Sequence, residues 1–145
     1  MQGRGEHFRY RPKMAESQSV TLILRLRGGA EAIAFYEKAF GAVERDRMTA
    51  PDGTIPNARL TIGNSEVMLS DEAPEHSPGP QTLGGSSVSI ALKVSDVDAV
   101  VARAVAAGAR VVFPVEDRFY GMRDGRIVDP FGHIWIVGTP IAPAH

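Results

Sequence analysis

Residues 24–42, LRLRGGAEAIAFYEKAFGA, and residues 92–109, LKVSDVDAVVARAVAAGA, follow one pattern, and this repeat decides the fold. In each copy an alternating apolar strand leads into a segment with apolar residues at helical spacing, and a glycine ends the helix. One extra residue precedes the helix in the first copy. The chain is therefore predicted to be a tandem duplication of one supersecondary unit. The aligned pairs include Leu24 with Leu92, Ile33 with Val100, and Gly41 with Gly108.

Three further strands are predicted after each helix, which makes each unit β-α-β-β-β. The fold class is thus α+β, with module 1 at 19–72 and module 2 at 86–140. Because each half is too small to be stable alone, both are expected to share one core in a single domain at 19–140. The strands after the helices are predicted at 42–48, 57–63 and 65–71, and at 110–116, 125–129 and 133–138.

Three segments lack this periodic pattern. Residues 71–86, DEAPEHSPGPQTLGGS, are polar and rich in Pro and Gly, which is typical of either a flexible crossover or a functional loop. Residues 116–126, EDRFYGMRDGR, show no clean alternation and are predicted to form a loop. Residues 1–18 are interpreted as a disordered N-terminal leader.

The composition excludes several classes of function. Lys and Arg (16) nearly balance Asp and Glu (17), so the overall charge favours neither nucleic acid nor an anionic membrane as a partner. The chain has no cysteine, which excludes disulfides, zinc–thiolate sites and thiol nucleophiles. We therefore expect a cytoplasmic protein that binds neither nucleic acid nor membrane.

Four segments carry a resemblance to a known family. Together with their spacing they resemble the vicinal oxygen chelate superfamily of glyoxalases, bleomycin-resistance proteins and ring-cleaving dioxygenases, in particular its PhnB-like branch. The resemblance implies paired β-α-β-β-β modules whose sheets curl into an incomplete barrel around a cavity, with helices outside and commonly a homodimer. The segments are AIAFYEKAFGA (32–42), QTLGG (81–85), DVDAVVARAVAAGA (96–109) and GRIVDPFGHIW (125–135).

Enzymes of that superfamily hold one divalent metal with His, Gln or Glu side chains from the first and last strands of each module. A hydroxyl donates weakly, a thioether is too soft for an oxygen-chelating site, and an isoleucine side chain has no lone pair. No metal and no other cofactor is therefore expected, and metal-dependent glyoxalase or dioxygenase activity is disfavoured. The resemblance maps the four metal positions onto Thr21, Met68, Ser89 and Ile136.

Alternation along the strands separates two faces of each sheet. One face carries large apolar side chains and is predicted to pack under the helices. The opposite face is mixed and partly charged, and is predicted to face the cavity. The helix-covered set is Leu22, Leu24, Leu26, Val67, Leu69, Val88, Ile90, Leu92, Val94, Trp135 and Val137. The cavity set is Thr21, Ile23, Arg25, Glu66, Met68, Ser70, Ser89, Ala91, Lys93, Ile134 and Ile136, with Arg59, Thr61 and Arg126.

The cavity set suggests a class of ligand. Its four cations are opposed chiefly by Glu66, which favours an anionic or oxygen-rich ligand, unless the long side chains reach water or pair across a dimer interface. The segment 116–126 adds arginine and aromatic side chains at the expected cavity mouth, which suit a flat or anionic ligand or, alternatively, a subunit contact. The predicted ligand-binding residues are Arg25, Arg59, Glu66, Met68, Ser70, Ser89, Lys93, Arg118, Tyr120 and Arg126.

The favoured function is metal-independent binding of a small molecule, such as an anionic or oxygen-rich ligand or an antibiotic, by a homodimer. One alternative is a lyase or isomerase that uses Glu66 or Tyr120 with Arg126 for proton transfer. A dioxygenase-like enzyme with a displaced metal site and a structural or partner-binding module are further alternatives. The sequence assigns no catalytic residue.

Two smaller signals are ambiguous. The segment RLRGGAE at 25–31 opens a helix after a strand, so it either cradles an anion on its backbone N–H groups or forms a plain turn. Trp135 is predicted to pack in the core, whereas His133 flanks a turn and has no assigned role.

Overall fold

The computed structural model describes residues 17–142, so the predicted leader lies outside the described residues except for Ser17 and Gln18. None of the helices in this range combines the length and apolar character that a membrane crossing requires. The first module contains β1 (Leu22–Leu26), α1 (Gly29–Phe40), β2 (Val43–Met48), β3 (Asn57–Ile62) and β4 (Ser65–Asp71). The short helix α2 (Pro80–Leu83) follows, and then β5 (Ser89–Lys93), α3 (Val97–Ala106), β6 (Arg110–Arg118), β7 (Met122–Val128) and β8 (Ile134–Pro140).

Each module forms one four-stranded mixed sheet, in the orders β1-β4-β3-β2 and β5-β8-β7-β6. The first and last strands of each module pair in parallel, with Leu24 opposite Leu69 and Leu92 opposite Val137. The two sheets remain separate and do not close into a barrel. The predicted α+β class and the duplication of one β-α-β-β-β unit are confirmed.

The predicted helix-covered face forms the core. Leu26, Leu69 and Val137 are fully buried, and Ile90, Leu92 and Val94 pack against this cluster with partial exposure. The prediction is wrong for two side chains, Leu22 and Val88, which are exposed. Leu22 is the first residue of β1, Val88 precedes β5, and both strands lie at sheet edges, so these side chains extend beyond the helix-covered area.

A buried carboxylate joins the two modules. Asp129 is only 3% exposed, and its Oδ2 accepts hydrogen bonds from the Tyr36 hydroxyl at 2.6 Å and from Trp135 Nε1 at 2.9 Å. Its Oδ1 accepts from the backbone N–H groups of Phe131 and His133. Burial, reinforced by the neighbouring Asp129 charge, raises the pKa of Tyr36 well above its ordinary value. Trp135 is thus a core residue, as predicted, with its indole N–H satisfied.

The glycine pair before α1 forms a capped helix start. Gly28 has a φ of 94°, a left-handed conformation that favours glycine, and the N–H groups of Gly28 and Gly29 both donate to Asp71 Oδ1 at 2.9 Å. The N–H of Ile55 donates to Asp71 Oδ2 at 2.7 Å. The chain's own carboxylate therefore occupies the anion cradle that RLRGGAE suggested.

The corresponding helix start in module 2 uses an exposed carboxylate and a neutral hydroxyl. Asp96 caps α3 as its side chain accepts from the N–H of Ala99 at 3.2 Å. Thr139, which occupies the position equivalent to Asp71, accepts from the N–H of Val97 at 3.1 Å and donates to the carbonyl of Val94 at 2.9 Å. The two modules thus stabilise equivalent helix ends with different chemistry.

The predicted loop at 116–126 is wrong, because β6 continues to Arg118 and β7 begins at Met122. Register shifts on either side of Phe113 interrupt the alternation of β6, which is why the sequence pattern looks irregular. A Cβ atom on Gly125 would lie 2.9 Å from Val115 Cγ2, so glycine allows the bulged β6 to pack closely against β7.

The linker between the modules is packed against module 1. The N–H of Gly79 donates to Glu72 Oε1 at 2.8 Å, and the Gln81 side chain bonds to both the N–H and the carbonyl of Arg27. Pro80 is buried beside Gly132. The sequence left residues 71–86 as either a flexible crossover or a functional loop. These contacts do not match a flexible crossover.

Candidate anion-binding site

The open face of the second sheet contains a pocket of about 350 Å³. Strands β6, β7 and β8 supply its walls, and the β6–β7 hairpin that replaces the predicted loop forms one end. The pocket brings together three predicted site residues, Arg118, Tyr120 and Arg126. The other lining residues are Phe113, Asp124, Gly125 and Ile136.

Arg126 is the unsatisfied cation of this pocket. Its guanidinium carbon lies 5.0 Å from the ring centre of Phe113, the residue directly opposite on β6. Its Nε is buried without a hydrogen-bond partner, and the guanidinium forms no hydrogen bond or ion pair within residues 17–142. A buried polar group without a partner is unfavourable, and Arg126 Nε is such a group.

The other two predicted residues are held in place by Asp124. Arg118 Nε donates to Asp124 Oδ1 at 2.9 Å, and the Tyr120 hydroxyl donates to Asp124 Oδ2 at 2.8 Å. The hydrogen bond to Asp124 raises the pKa of Tyr120, so its hydroxyl stays protonated at neutral pH. Arg118 also donates to Glu116 and to the carbonyl of Pro114, which leaves it little capacity for a ligand.

The equivalent arginine in module 1 has carboxylate partners. Arg59 lies opposite Asp46 on β2 and Met68 on β4, just as Arg126 lies opposite Phe113 and Ile136. Asp46 Oδ2 accepts from Arg59 Nη2 at 2.6 Å and from Nε at 2.8 Å. Glu66 accepts from Arg59 Nη1 at 3.4 Å. The charge of Arg59 is therefore neutralised within its own sheet.

The remaining predicted residues do not join the Arg126 pocket. Arg25 Nη1 donates to Ser70 Oγ at 2.6 Å on the first sheet. Met68 is partly buried beside Arg59. Ser89 and Lys93 are exposed on the edge strand β5. The structure therefore separates the predicted single cavity into several surfaces.

Sequence reasoning did not include Phe113 and Asp124 among the site residues. Phe113 follows a register shift, so its face could not be assigned by counting along the strand. Asp124 stood in a segment interpreted as a loop. Phe113 is identified by its cross-strand pairing with Arg126, and Asp124 by its hydrogen bonds to Arg118 and Tyr120.

The four positions onto which the resemblance maps metal ligands carry side chains that do not fit a divalent cation. Met68 and Ile136 lie beside Arg59 and Arg126, where a thioether and a hydrocarbon meet positive charge. Thr21 and Ser89 add only exposed neutral hydroxyls. Across the described part of the chain, no three His, Asp or Glu side chains gather in a group suited to a metal ion.

His133 connects the second module to β1. Its Nε2 lies 2.8 Å from the carbonyl oxygen of Arg25. Because a carbonyl oxygen only accepts, Nε2 carries a proton and donates. The role that the sequence left unassigned is therefore a contact between the modules.

Comparison with known proteins agrees with this architecture. Residues 20–137 match the model of the Glyoxalase/Bleomycin resistance protein/Dioxygenase superfamily. The chain is 48% identical over 116 residues to the protein Rv0887c of Mycobacterium tuberculosis, with 77% of this chain and 68% of that protein covered.

Two solved structures have similar folds. TioX from Micromonospora sp. ML1 superposes with a TM-score of 0.67 at 27% identity, covering 86% of this chain and all of TioX. The PhnB protein from Bacillus cereus has a TM-score of 0.68 at 20% identity, covering 84% of this chain and 99% of PhnB. The chain belongs to the Glyoxalase/Bleomycin resistance protein/Dioxygenase superfamily.

Proposed function

We propose that this protein binds a small anionic or oxygen-rich molecule at Arg126, without a metal ion. The observation that carries the proposal is the contrast between two equivalent arginines. Arg59 is bound by two carboxylates, whereas Arg126 has no acceptor and a buried, unpaired Nε. A ligand carboxylate, phosphonate or similar group would supply the missing acceptors through charge-assisted hydrogen bonds.

The surroundings of Arg126 narrow the ligand chemistry. Phe113 covers one side of the guanidinium, which leaves its edge for planar acceptors. Tyr120 adds a second aromatic wall, and Asp124 fixes it by a hydrogen bond. We infer that the protein binds the ligand and sequesters it without changing it chemically.

The contacts do not favour acid–base catalysis as a second function. The Tyr120 hydroxyl donates a hydrogen bond to Asp124, which raises the pKa of Tyr120, so the hydroxyl stays protonated and is a poor base near neutral pH. Glu66 lies on the other sheet and is paired with Arg59. Of the two candidate groups, only Tyr120 shares a pocket with Arg126.

The proposal includes a homodimer. Strand β6 has nine residues, of which seven are exposed, and it forms the edge of its sheet. Val111, Val112 and Phe113 are among its exposed apolar side chains, and Val43 and Met48 are exposed on the equivalent edge strand β2. A second copy would cover edges that are otherwise open to aggregation. Sedimentation velocity measures this state directly.

The test is calorimetric titration of metal-free protein, prepared with EDTA, against benzoate, methylphosphonate and bleomycin. We expect at least one of them to bind. Arg126→Gln should weaken that binding about tenfold or more, because it removes a charged hydrogen-bond donor. The matched control is Arg110→Gln, an exposed arginine on β6 outside the pocket.

Three results would count against the proposal. One is that none of the probes binds the unmodified protein. Another is an equal loss of affinity in the Arg126 and Arg110 variants, which would indicate a nonspecific charge effect. The third is binding that requires an added divalent cation.

A further inference from the structure

A second pocket lies at the junction of the two modules. Strands β1 and β5 are edge strands of their sheets, and a pocket of about 250 Å³ opens between them. The linker that contains α2 forms one wall. None of its lining residues belongs to the Arg126 pocket. The apolar lining comprises Leu22, Ile23, Leu24, Pro78, Pro80, Leu83, Val88 and Ile90.

The exposed apolar side chains of this pocket are concentrated around one opening. Leu83 is 67% exposed and Val88 is 55% exposed, and Leu22 and Ile23 are also exposed. Single exposed apolar side chains are ordinary, but a cluster that lines a cavity indicates a binding surface. The opening is therefore suited to an apolar group.

The walls of the pocket are fixed by contacts on the far side of the linker. The Gln81 amide pairs with the backbone of Arg27, and Thr82 Oγ1 donates to Glu72 Oε2 at 2.8 Å. A Cβ atom on Gly79 would lie 2.8 Å from the Arg25 carbonyl oxygen, so the linker lies closer to β1 than a residue with a Cβ atom would allow. The pocket is thus largely formed before any ligand enters.

One lining residue is a cation without a carboxylate partner. Arg25 donates to the Ser70 hydroxyl and forms no ion pair with any side chain in the described part of the chain. By contrast, Arg27 forms an ion pair with Glu72, with 3.4 Å between Arg27 Nε and Glu72 Oε2. His133 also lines the pocket, and its Nε2–H group donates a hydrogen bond to the Arg25 carbonyl oxygen. A negative charge placed here would meet Arg25 unopposed.

We propose that this pocket is a second ligand site, which binds an alkyl carboxylate of medium chain length. The alkyl chain lies between the edges of β1 and β5, and the carboxylate accepts hydrogen bonds from Arg25. A cavity of about 150 Å³ accommodates benzene, so this pocket has room for a chain of roughly six to eight carbons. The site is independent of the Arg126 pocket.

The first experiment is a titration of the full chain with butanoate, hexanoate and octanoate. Each added methylene should tighten binding about fourfold, as expected for burial of hydrocarbon. Octan-1-ol, which lacks the charge, should bind at least about tenfold more weakly than octanoate. Binding that is independent of chain length, or no binding of octanoate, would overturn the proposal.

The second experiment uses variants. Leu83→Gln changes an exposed side chain and should weaken octanoate binding at least about fivefold, whereas Val105→Gln, an exposed apolar position outside the pocket, should not. Arg25→Gln should weaken octanoate but not octanol. The titrations are repeated in the Arg126→Gln background, where a carboxylate bound at Arg126 no longer contributes, and the dependence on chain length should persist there. Equal effects of the Leu83 and Val105 variants would overturn the proposal.

A second copy of the chain is the competing occupant of this surface. In that case Leu83→Gln would shift the protein from dimer to monomer in sedimentation velocity, and octanoate would not bind the dimer. This pair of results would assign the pocket to an interface and overturn the proposal.

Discussion

Arg59 in module 1 and Arg126 in module 2 occupy equivalent positions in two copies of one sheet, but their surroundings differ. Each arginine lies in the third strand of its module and faces the residue across from it on the second strand. That residue is Asp46 in module 1 and Phe113 in module 2. Asp46 forms two hydrogen bonds with its arginine, whereas Phe113 presents only its ring face.

The difference lies in the neighbours of the arginine, because Asp46 and Glu66 both pair with Arg59 whereas no carboxylate pairs with Arg126 in the described residues. In module 1 the aspartate neutralises the arginine charge, and this surface ion pair contributes only a little to the stability of the sheet. A phenylalanine positions the guanidinium and leaves its hydrogen-bond donors available. The proposed binding site in the second module therefore lies where the first module has an internal ion pair.

The modules also differ in the turn between their last two strands. Module 1 has the two-residue turn Gly63-Asn64 between β3 and β4, whereas module 2 has the longer turn 129–133. The second turn begins with Asp129, whose carboxylate accepts a hydrogen bond from Tyr36 on the helix of module 1. The longer turn thus supplies the buried carboxylate that joins the modules.

The largest expected effect breaks this contact. Asp129→Ala should lower the free energy of unfolding by about 3–5 kcal/mol, because four donors, including the Tyr36 hydroxyl and Trp135 Nε1, lose their acceptor in the interior. Asn64→Ala in the exposed turn of module 1 should change it by less than about 0.5 kcal/mol. Urea unfolding followed by Trp135 fluorescence measures both.

Asp129→Asn provides a milder test in case the alanine variant does not fold. It keeps the shape but places an amide NH₂ near two donors, so it should remain folded and still be less stable than the unmodified chain. A stability equal to that of the unmodified chain would show that the buried carboxylate does not hold the modules together.

The next effect concerns the helix starts. Asp71→Ala removes a charged acceptor from three backbone N–H groups and should lower stability by about 2–3 kcal/mol. Thr139→Val, at the equivalent position of module 2, removes one neutral acceptor and should lower it by about 1 kcal/mol. Urea midpoints at unchanged slope give the comparison. Equal losses of stability in the two variants would mean that the charge of Asp71 does not contribute to stability.

The sequence alone was sufficient for the parts of the fold that follow regular periodicity. The strand containing Leu24 and its repeat containing Leu92 could be aligned and assigned to the core because alternation of apolar residues reports one buried face. The pattern failed around Phe113, where two register shifts remove the alternation. It also gave no indication that Asp129 contacts Tyr36, because partners 93 residues apart are set by tertiary packing.

The candidate site could be predicted only in part for the same reason. Arg126 was identified as a cavity-facing cation by its position in a regular strand. The difference between Arg126 and Arg59 depends on their cross-strand neighbours, and one of those neighbours lies beyond a bulge. A list of cationic residues therefore contains both arginines and does not distinguish the paired one from the unpaired one.

The smallest effect in energy is the most direct test of this distinction. Phe113→Asp gives module 2 the partner that Arg59 has in module 1, and the new carboxylate should compete with an anionic ligand for Arg126. We expect ligand affinity to fall about tenfold, which corresponds to roughly 1.4 kcal/mol. Stability should change little, because a partly exposed ion pair replaces a cation–π contact of similar strength.

Phe113→Leu is the matched control, since it removes the aromatic ring without adding a charge. If the unpaired charge of Arg126 determines binding, the leucine variant should retain most of the affinity that the aspartate variant loses. Equal losses in the two variants would instead assign binding to the Phe113 ring. In that case the two modules would differ through aromatic stacking, and the neutralisation of Arg59 by Asp46 would be irrelevant to ligand binding.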